Sequence, residues 1–419
     1  MSGYGQNLAE PPPRPEFLGR PEETAKAVRA GTHRVRSLEA TEVTAMTAAR
    51  AAGMTRLAEL TGLDRLGIPV FSSMRPAAEA GSLTVTGGKG ASTRAARLSA
   101  LLEAVERHCG ERQGRTGVVA TRQELHTRVT TLDPAALILS AGHGYRDDVL
   151  LEWWPTRDVD RDEVVMIPAV AVLCPYRLGP FLFRWSSNGL AAGNSLPEAF
   201  LHGLLEVIER DATSFGETVL DGPLLDTASL APGEASDLVA RFAAAGIDTW
   251  VRVFTTEVGI PTFHVVLDDR ERRDPLLING GFGCHLDPAV GLTRALTEAA
   301  LSRASVIAGA REDLADMAVK RDLGYDRLKE GFARWFRADR PRVPLADHRD
   351  LSTDSIAGDL DVLLSRLRGA RFNRVLAADL SLPGLGFCVT RAVVPGMELR
   401  HIDRGRMGPR LARRVDAAA

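Results

Sequence analysis

Apolar residues along the 419-residue chain fall into two patterns, and together they predict a mixture of helices and strands. Segments 92–113, 196–215, 293–309 and 360–368 repeat apolar positions at helical spacing. In the first, Leu98, Leu101, Leu102 and Val105 form the buried stripe; in the second, Leu201, Leu204, Leu205 and Ile208 do. Shorter stretches at 68–72, 82–86, 164–173, 249–254, 262–267 and 374–379 alternate or are β-branched, as strands do. The strands come in runs rather than in strict alternation with helices. The expected fold is therefore α+β, with helices packed on mixed or antiparallel sheets. No low-complexity linker divides the chain, so one domain is expected over 19–405, between a Pro-rich flexible tail at 1–18 and a polar tail at 406–419.

The polar sides of the predicted helices carry an internal repeat. Ser99-Ala-Leu-Leu-Glu103-Ala-Val-Glu106-Arg107 and His202-Gly-Leu-Leu-Glu206-Val-Ile-Glu209-Arg210 share Glu-x-x-Glu-Arg, and a third helix carries Arg294-Ala-Leu-Thr-Glu298, with Arg303 further on. Carboxylates at i and i+3 lie on one helix face and can reach one cation. Magnesium prefers hard oxygen ligands and usually takes a few carboxylates together with substrate phosphates. Two such helices facing each other would gather Glu103, Glu106, Glu206 and Glu209, more than one ion needs, which suggests several ions around a polyphosphate. The competing reading makes Glu103 with Arg107, and Glu206 with Arg210, surface i,i+4 pairs worth only about 0.3–0.5 kcal/mol each.

Two glycine-rich stretches precede these helices. Ser186-Ser187-Asn188-Gly189-Leu190-Ala191-Ala192-Gly193-Asn194, followed by Glu198, would offer backbone N–H groups to an anion, with helix capping as the plainer account. Gly87-Gly88-Lys89-Gly90-Ala91-Ser92 has Gly where a Walker A motif needs Ser or Thr after the lysine, which excludes a P-loop NTPase. Lysines are scarce here (Lys26, Lys89, Lys320 and Lys329), and Lys89 is a candidate phosphate or substrate contact, with an ordinary turn as the alternative.

Composition narrows the classes. With 52 Lys+Arg against 54 Asp+Glu there is no basic surplus for nucleic acid. No apolar run approaches the length of a membrane span and the start lacks the order of a signal peptide, so a cytoplasmic protein is expected. Cys109, Cys174, Cys284 and Cys388 are far apart and form no Cys-x-x-Cys, which suggests neither zinc nor disulfides. Cys284 and His285 are neighbours, a spacing that does not give nucleophile–base geometry. Trp153-Trp154 reads as a sheet edge or an interface.

Gly88-Lys89-Gly90, Ser99-x3-Glu103-x2-Glu106-Arg107, Ser187-Asn188-Gly189 with Gly193-Asn194, Glu206-x2-Glu209-Arg210-Asp211 and Arg294-Ala-Leu-Thr-Glu298 together resemble the YcaO superfamily, from about Gly31 to Glu398. The resemblance implies ATP and Mg²⁺ held by the acidic helices, and O-phosphorylation of a peptide backbone amide that leads to azolines, amidines or thioamides. It implies Glu103, Glu106, Glu206 and Glu209 around Mg²⁺, with Glu106, Glu209 and Arg294 as the catalytic set. Ser99, Asn194 and Glu198 would complete the nucleotide and metal site, Arg294 would face phosphate, and Arg34 and Thr41 would approach the nucleotide. Leu301-Ser302 stands where many members have Gln-Ser.

Azoline-forming members usually end in a Pro-rich tail, whereas this chain ends Arg413-Arg414-Val415-Asp416-Ala-Ala-Ala, and no region large enough for a fused leader-binding domain is expected. Gly31-Thr32-His33-Arg34 and Val394-Pro395-Gly396-Met397-Glu398 are similar to members that form thioamides with a TfuA-like partner and an external sulfide donor. The implied function is thioamidation of a ribosomally synthesised precursor peptide by a homodimer, without nucleic acid or membrane. The alternatives are an azoline-forming cyclodehydratase, an amidine-forming enzyme, and a non-catalytic ATP-binding scaffold that assists another modifying enzyme.

Overall fold

The expected helices form on their apolar stripes, and local caps set their ends. In the computed structural model, which describes residues 10–219, 222–312 and 317–418, these are α1 (Leu38–Ala51), α2 (Thr93–Gly110), α3 (Leu196–Val219), α4 (Pro288–Ala308), α5 (Ile356–Gly369) and α6 (Pro409–Ala418), beside shorter turns. Ser92 caps α2 by accepting from the Ala95 amide, and Ser355 caps α5 by accepting from Gly358. Helix α4 has Asp287 as its cap, Pro288 in its first turn and a left-handed Gly309 at its end. No helix among the described residues is long and apolar enough to cross a membrane.

The described strands make three sheets. Arg56–Glu59, Val70–Met74 and Val85–Lys89 form an antiparallel sheet in that order. A second sheet runs Val118–Ala120, Leu151–Asp158, Leu376–Asp379, Cys388–Val393, Leu190–Gly193, with Glu163–Pro168 also paired to Leu151–Asp158. The third runs Asn279–Cys284, Thr262–Asp269, Ile247–Phe254, Leu224–Leu225, Arg342–Val343; its last pair is parallel.

One structural unit recurs in all three sheets. A strand passes through a short turn into a long helix that packs on it: Val85–Lys89 with α2, Leu190–Gly193 with α3, and Asn279–Cys284 with α4. The Glu-x-x-Glu-Arg repeat is thus part of a repeat of strand, turn and helix. The packing is backbone against backbone. A Cβ on Gly88 would stand 2.6 Å from Ala100 Cα, one on Gly193 2.9 Å from Ala199 Cα, and one on Gly283 2.6 Å from the Ala295 amide nitrogen. The apolar stripes bury away from this contact, α2 among Trp153, Ile167 and Leu173, and α3 among Leu360, Leu363 and Val375.

Several expectations shift. The strands expected at 68–72 and 82–86 lie two to three residues later, and the run at 164–173 stops at Pro168, where the chain turns through Ala169–Ala171. Trp153 and Trp154 are buried inside the six-stranded sheet rather than at an edge. Neither described terminal segment is a tail. Arg14–Leu18 is a helical turn whose Phe17 is fully buried against Phe200, while residues 1–9 lie outside the described residues. At the other end α6 buries Leu411, and its Arg410 reaches the fully buried Asp211 at 2.7 and 3.0 Å. Glu398 accepts from the Gly408 and Leu411 amides at 2.8 and 3.1 Å and so caps that helix. A polar composition hid these segments because each is held by a few residues: Phe17 and Leu18 anchor the first, and Leu411 with the Arg410–Asp211 ion pair the second.

The glycine contacts give a direct test. Gly88→Val is expected to destabilise the fold by about 1–3 kcal/mol or more through overpacking. Gly144→Ala, where an added Cβ would meet nothing within 4 Å, should stay within about 0.5 kcal/mol of wild type. Urea unfolding followed by circular dichroism compares the two.

Candidate functional site

Helices α2 and α3 turn their polar faces into one cavity of about 490 Å³, and α4 closes a further side. Its walls include Glu103, Glu106, Glu206 and Glu209, together with Ser99, Lys89, Arg34 and Arg294. The structure therefore brings eight of the expected site residues around one space. Arg107 donates to Glu103 at 2.8 Å, and Arg210 lies 4.0 Å from Glu206 and 3.4 Å from Glu209. The i,i+4 pairs of the competing reading do form, but Arg107 and Arg210 line the cavity with their glutamates instead of lying on an outer face.

Thr41, Asn194 and Glu198 are placed differently, because they stand behind the cavity wall. Glu198 is fully buried and accepts from Arg34 Nη1 at 2.8 Å, from the Val35 amide at 2.9 Å and from Asn194 Nδ2 at 2.9 Å. Asn194 Oδ1 in turn accepts from the Thr41 hydroxyl at 3.2 Å. This network consumes the polar atoms expected to meet the nucleotide and uses them to aim Arg34, which does line the cavity. Lys89 ends a strand, so it belongs neither to a phosphate loop nor to a turn, and it is paired with Glu298. Within the second glycine-rich stretch Leu190–Gly193 is likewise a strand, and only its ends are loop.

Several lining residues escaped the sequence reading. Arg107 and Arg210 were visible as the last letter of the repeated motif. His202 lies one turn before Glu206 and donates through Nε2 to the His33 carbonyl at 3.2 Å. Burial, helped by Arg34 and Arg294, keeps its imidazole neutral, well below its ordinary pKa. Phe282 and His401 also line the cavity and carry no motif at all. Cys284 contributes no nucleophile, since burial pushes its thiol up to about 12.

The family model for YcaO cyclodehydratases, ATP- and Mg²⁺-binding, matches residues 87–398. The chain belongs to the YcaO family. A protein of Methanothermobacter thermautotrophicus is 40% identical over 364 residues, covering 86% of this chain and 93% of its own. A protein of Rhizobium leguminosarum bv. trifolii, named for its place in the tfuA 3′ region, is 33% identical over 371 residues, covering 83% and 84%. The structure of YcaO from Methanopyrus kandleri bound with AMPPCP and Mg²⁺ superposes with a TM-score of 0.76 at 26% identity, over 92% of this chain and 98% of that one.

ATP and Mg²⁺ are thus the cofactors of this YcaO protein, and its cavity has the charge balance to receive them. Burial pushes the Glu206 carboxyl up to about 7, with Glu209 and Glu103 adding to the shift against the pull of Arg210. Burial, then Glu103, raises Glu106 well above the carboxylate range. Glu298 goes the other way: despite burial, Lys89 and then Arg210 hold it at about 2. The two helices therefore carry buried carboxylates whose charged forms are disfavoured, and a divalent cation would stabilise them. Among the described residues no three acidic, histidine or cysteine side chains converge as a ready-made cage. Such a site suits ions that arrive with a polyphosphate and keep phosphate and water ligands.

The sign of the pH dependence follows. A carboxyl whose folded pKa lies above its unfolded value of 4.5 binds its proton more tightly when folded, so through Glu206 the nucleotide-free protein loses stability as pH rises from 4.5 to about 7. A metal ligated by Glu206 would have to expel that proton. Affinity for Mg²⁺–AMPPCP is expected to fall between about pH 8 and about pH 6, with protons released on binding beyond the nucleotide's own titration. Calorimetry in buffers of different ionisation heat measures the release; an affinity and proton count independent of pH would remove Glu106 and Glu206 from the metal site.

Proposed function

We propose that this YcaO protein uses ATP to phosphorylate a backbone amide oxygen of a ribosomally made peptide and, with a TfuA-like partner and a sulfide donor, converts that amide to a thioamide. The observation that carries the thioamide reading is the relative named for the tfuA 3′ region, which aligns with most of both chains. Amide activation itself is supported by the cavity, which offers charge neutralisation and positioning rather than a thiolate.

In this reading the amide oxygen forms a bond to the γ-phosphorus as ADP leaves. Hydrosulfide adds to the carbon, the carbon–oxygen bond to phosphate breaks, and the product C=S forms with loss of one proton. Glu103, Glu106, Glu206 and Glu209 hold Mg²⁺, which when bound neutralises phosphate charge. Arg294 and Lys89 orient the phosphates, and Ser99 contacts the nucleotide. Arg34 reaches the nucleotide from its seat on Glu198 and Asn194, with Thr41 behind them, and its planar fork suits bidentate anion contact.

The family description as cyclodehydratases favours a second reading, azoline formation, through the same activation with a neighbouring side chain as nucleophile. Intact peptide mass separates them: exchange of oxygen for sulfur adds about 16 Da, and cyclodehydration removes about 18 Da. The purified protein is incubated with ATP, Mg²⁺, sulfide and a candidate peptide, with and without the TfuA-like protein. Glu106→Gln and Glu209→Gln are each expected to reduce peptide-dependent ATP turnover by about a hundredfold or more. Full turnover in both would refute the metal assignment, and ATP binding without any mass change would favour a scaffold.

A further inference from the structure

Beside the nucleotide cavity lies a second one of about 740 Å³, and Gly280, Phe282 and His401 belong to the walls of both. Phe282 is the hinge of an aromatic row. Its ring sits 4.2 Å from that of His264 and 4.9 Å from that of His401, and His264 packs 4.3 Å from Trp335 on its other side. From the nucleotide side, Arg210 stands over Phe282 at 5.4 Å. His264 is 6% exposed and its Nδ1 has no hydrogen-bond partner among the described residues.

The shared wall is also a strand edge. Asn279–Cys284 is the first strand of its sheet, and among the described residues it pairs on one side only, with Thr262–Asp269. Phe282 stands opposite His264, yet its amide turns away to Glu298 Oε1 at 3.5 Å. Alternation along an antiparallel ladder then points the Gly280 amide the same way, outward along the free edge. A strand edge with no pairing strand is a template for an added one, which here would displace Glu298 from the Phe282 amide.

Charge completes the picture. Lys320, Arg334, Arg400 and Arg404 line the second cavity against one acid, Glu217, whose Oε1 lies 3.0 Å from His401 Nδ1. No ion pair involves those four cations among the described residues; Arg334 and Arg400 donate to backbone carbonyls of Glu217 and Arg404.

We propose that the substrate peptide binds as an added strand on the Gly280–Phe282 edge, with a carboxylate side chain lodged among the cations of the second cavity and the amide to be activated carried past Phe282 into the nucleotide cavity. This assignment rests on the function proposed above and goes beyond it by naming how the peptide is held and which peptides are preferred. Strand addition reads the backbone, so many sequences can be presented, while the second cavity selects acidic neighbours.

The test uses a fluorescein-labelled octapeptide of alternating valine and glutamate, its lysine-for-glutamate counterpart, and versions N-methylated at alternate residues in either register. Anisotropy is read with and without Mg²⁺–AMPPCP. The glutamate peptide is expected to bind on the order of tenfold tighter than the lysine one. N-methylation in one register should cost on the order of tenfold and in the other little. Arg334→Glu combined with Arg404→Glu should abolish the acidic preference and leave AMPPCP affinity unchanged. Equal binding of both peptides, indifference to methylation in either register, or no peptide binding in either state overturns the assignment, as does displacement of the peptide by a single-stranded oligonucleotide. Loss of wild-type AMPPCP binding with peptide binding retained would overturn only the nucleotide chemistry.

Discussion

Everything in this site depends on three helices lying backbone to backbone on the strands that precede them. Gly88, Gly193 and Gly283 permit that approach, and any side chain there would push the helix outward. Because each helix is held so close, its apolar stripe has only one direction in which to bury and its polar face is left toward the middle. The cores formed around α2, α3 and α4 are separate clusters. The space between them is where the polar faces meet, and that space is the cavity proposed to take the nucleotide.

The second dependence is electrostatic. Five carboxylates facing one partly enclosed space would repel one another without compensation, and the chain supplies arginines on the same helices, one turn or one residue from the glutamates. Burial outweighs that compensation at Glu106 and Glu206, whose carboxyls are raised chiefly by loss of solvent and then by their acidic neighbours. Perturbed carboxyls of this kind mark a site poised for ligand charge rather than one built for its own stability. The N-terminal segment that delivers Arg34 is secured far from the cavity. Lys26 pairs with Asp359 at 2.6 Å, both fully buried, and His33 lies against the same carboxylate at 3.4 Å. A buried pair of this sort contributes little net stability but holds one register of the segment, since removing either partner strands a buried charge.

Much of this was legible before any coordinates. The repeated Glu-x-x-Glu-Arg, the scarce Lys89 and Arg294 do meet; within each helix the pairing was readable because periodicity places i and i+3 on one face whatever the tertiary context. What periodicity cannot supply is which wall of the site a residue belongs to. Thr41, Asn194 and Glu198 lie close to the right place, yet they face one another, since a buried carboxylate must have its lone pairs filled by whatever donors are nearest. Lys89 and its glycines looked like a loop because glycine is ordinarily a turn signal; here glycine marks close packing inside strands. The helix α6 was missed because its stability comes from Asp211, 199 residues away, and from Glu398, which caps it from outside the helix; no local pattern reveals either role.

A reaction at a backbone amide sets its own structural problem. Side-chain chemistry can be directed by a pocket fitted to that side chain, but a backbone amide is common to every residue and offers only its carbonyl and N–H. A free strand edge is the one protein surface that recognises those groups without regard to sequence, at fixed spacing along the chain. In this molecule such an edge belongs to the same strand whose other contacts close the nucleotide cavity, and Glu298 lies between them, paired to Lys89 on one side and reaching the Phe282 amide on the other. A peptide laid on that edge would compete for the Phe282 amide and so touch, through one carboxylate, the lysine on the nucleotide side. In the proposed arrangement substrate and nucleotide would share a single acidic residue and need no moving domain to communicate; the coupling would be a hydrogen bond exchanged for another.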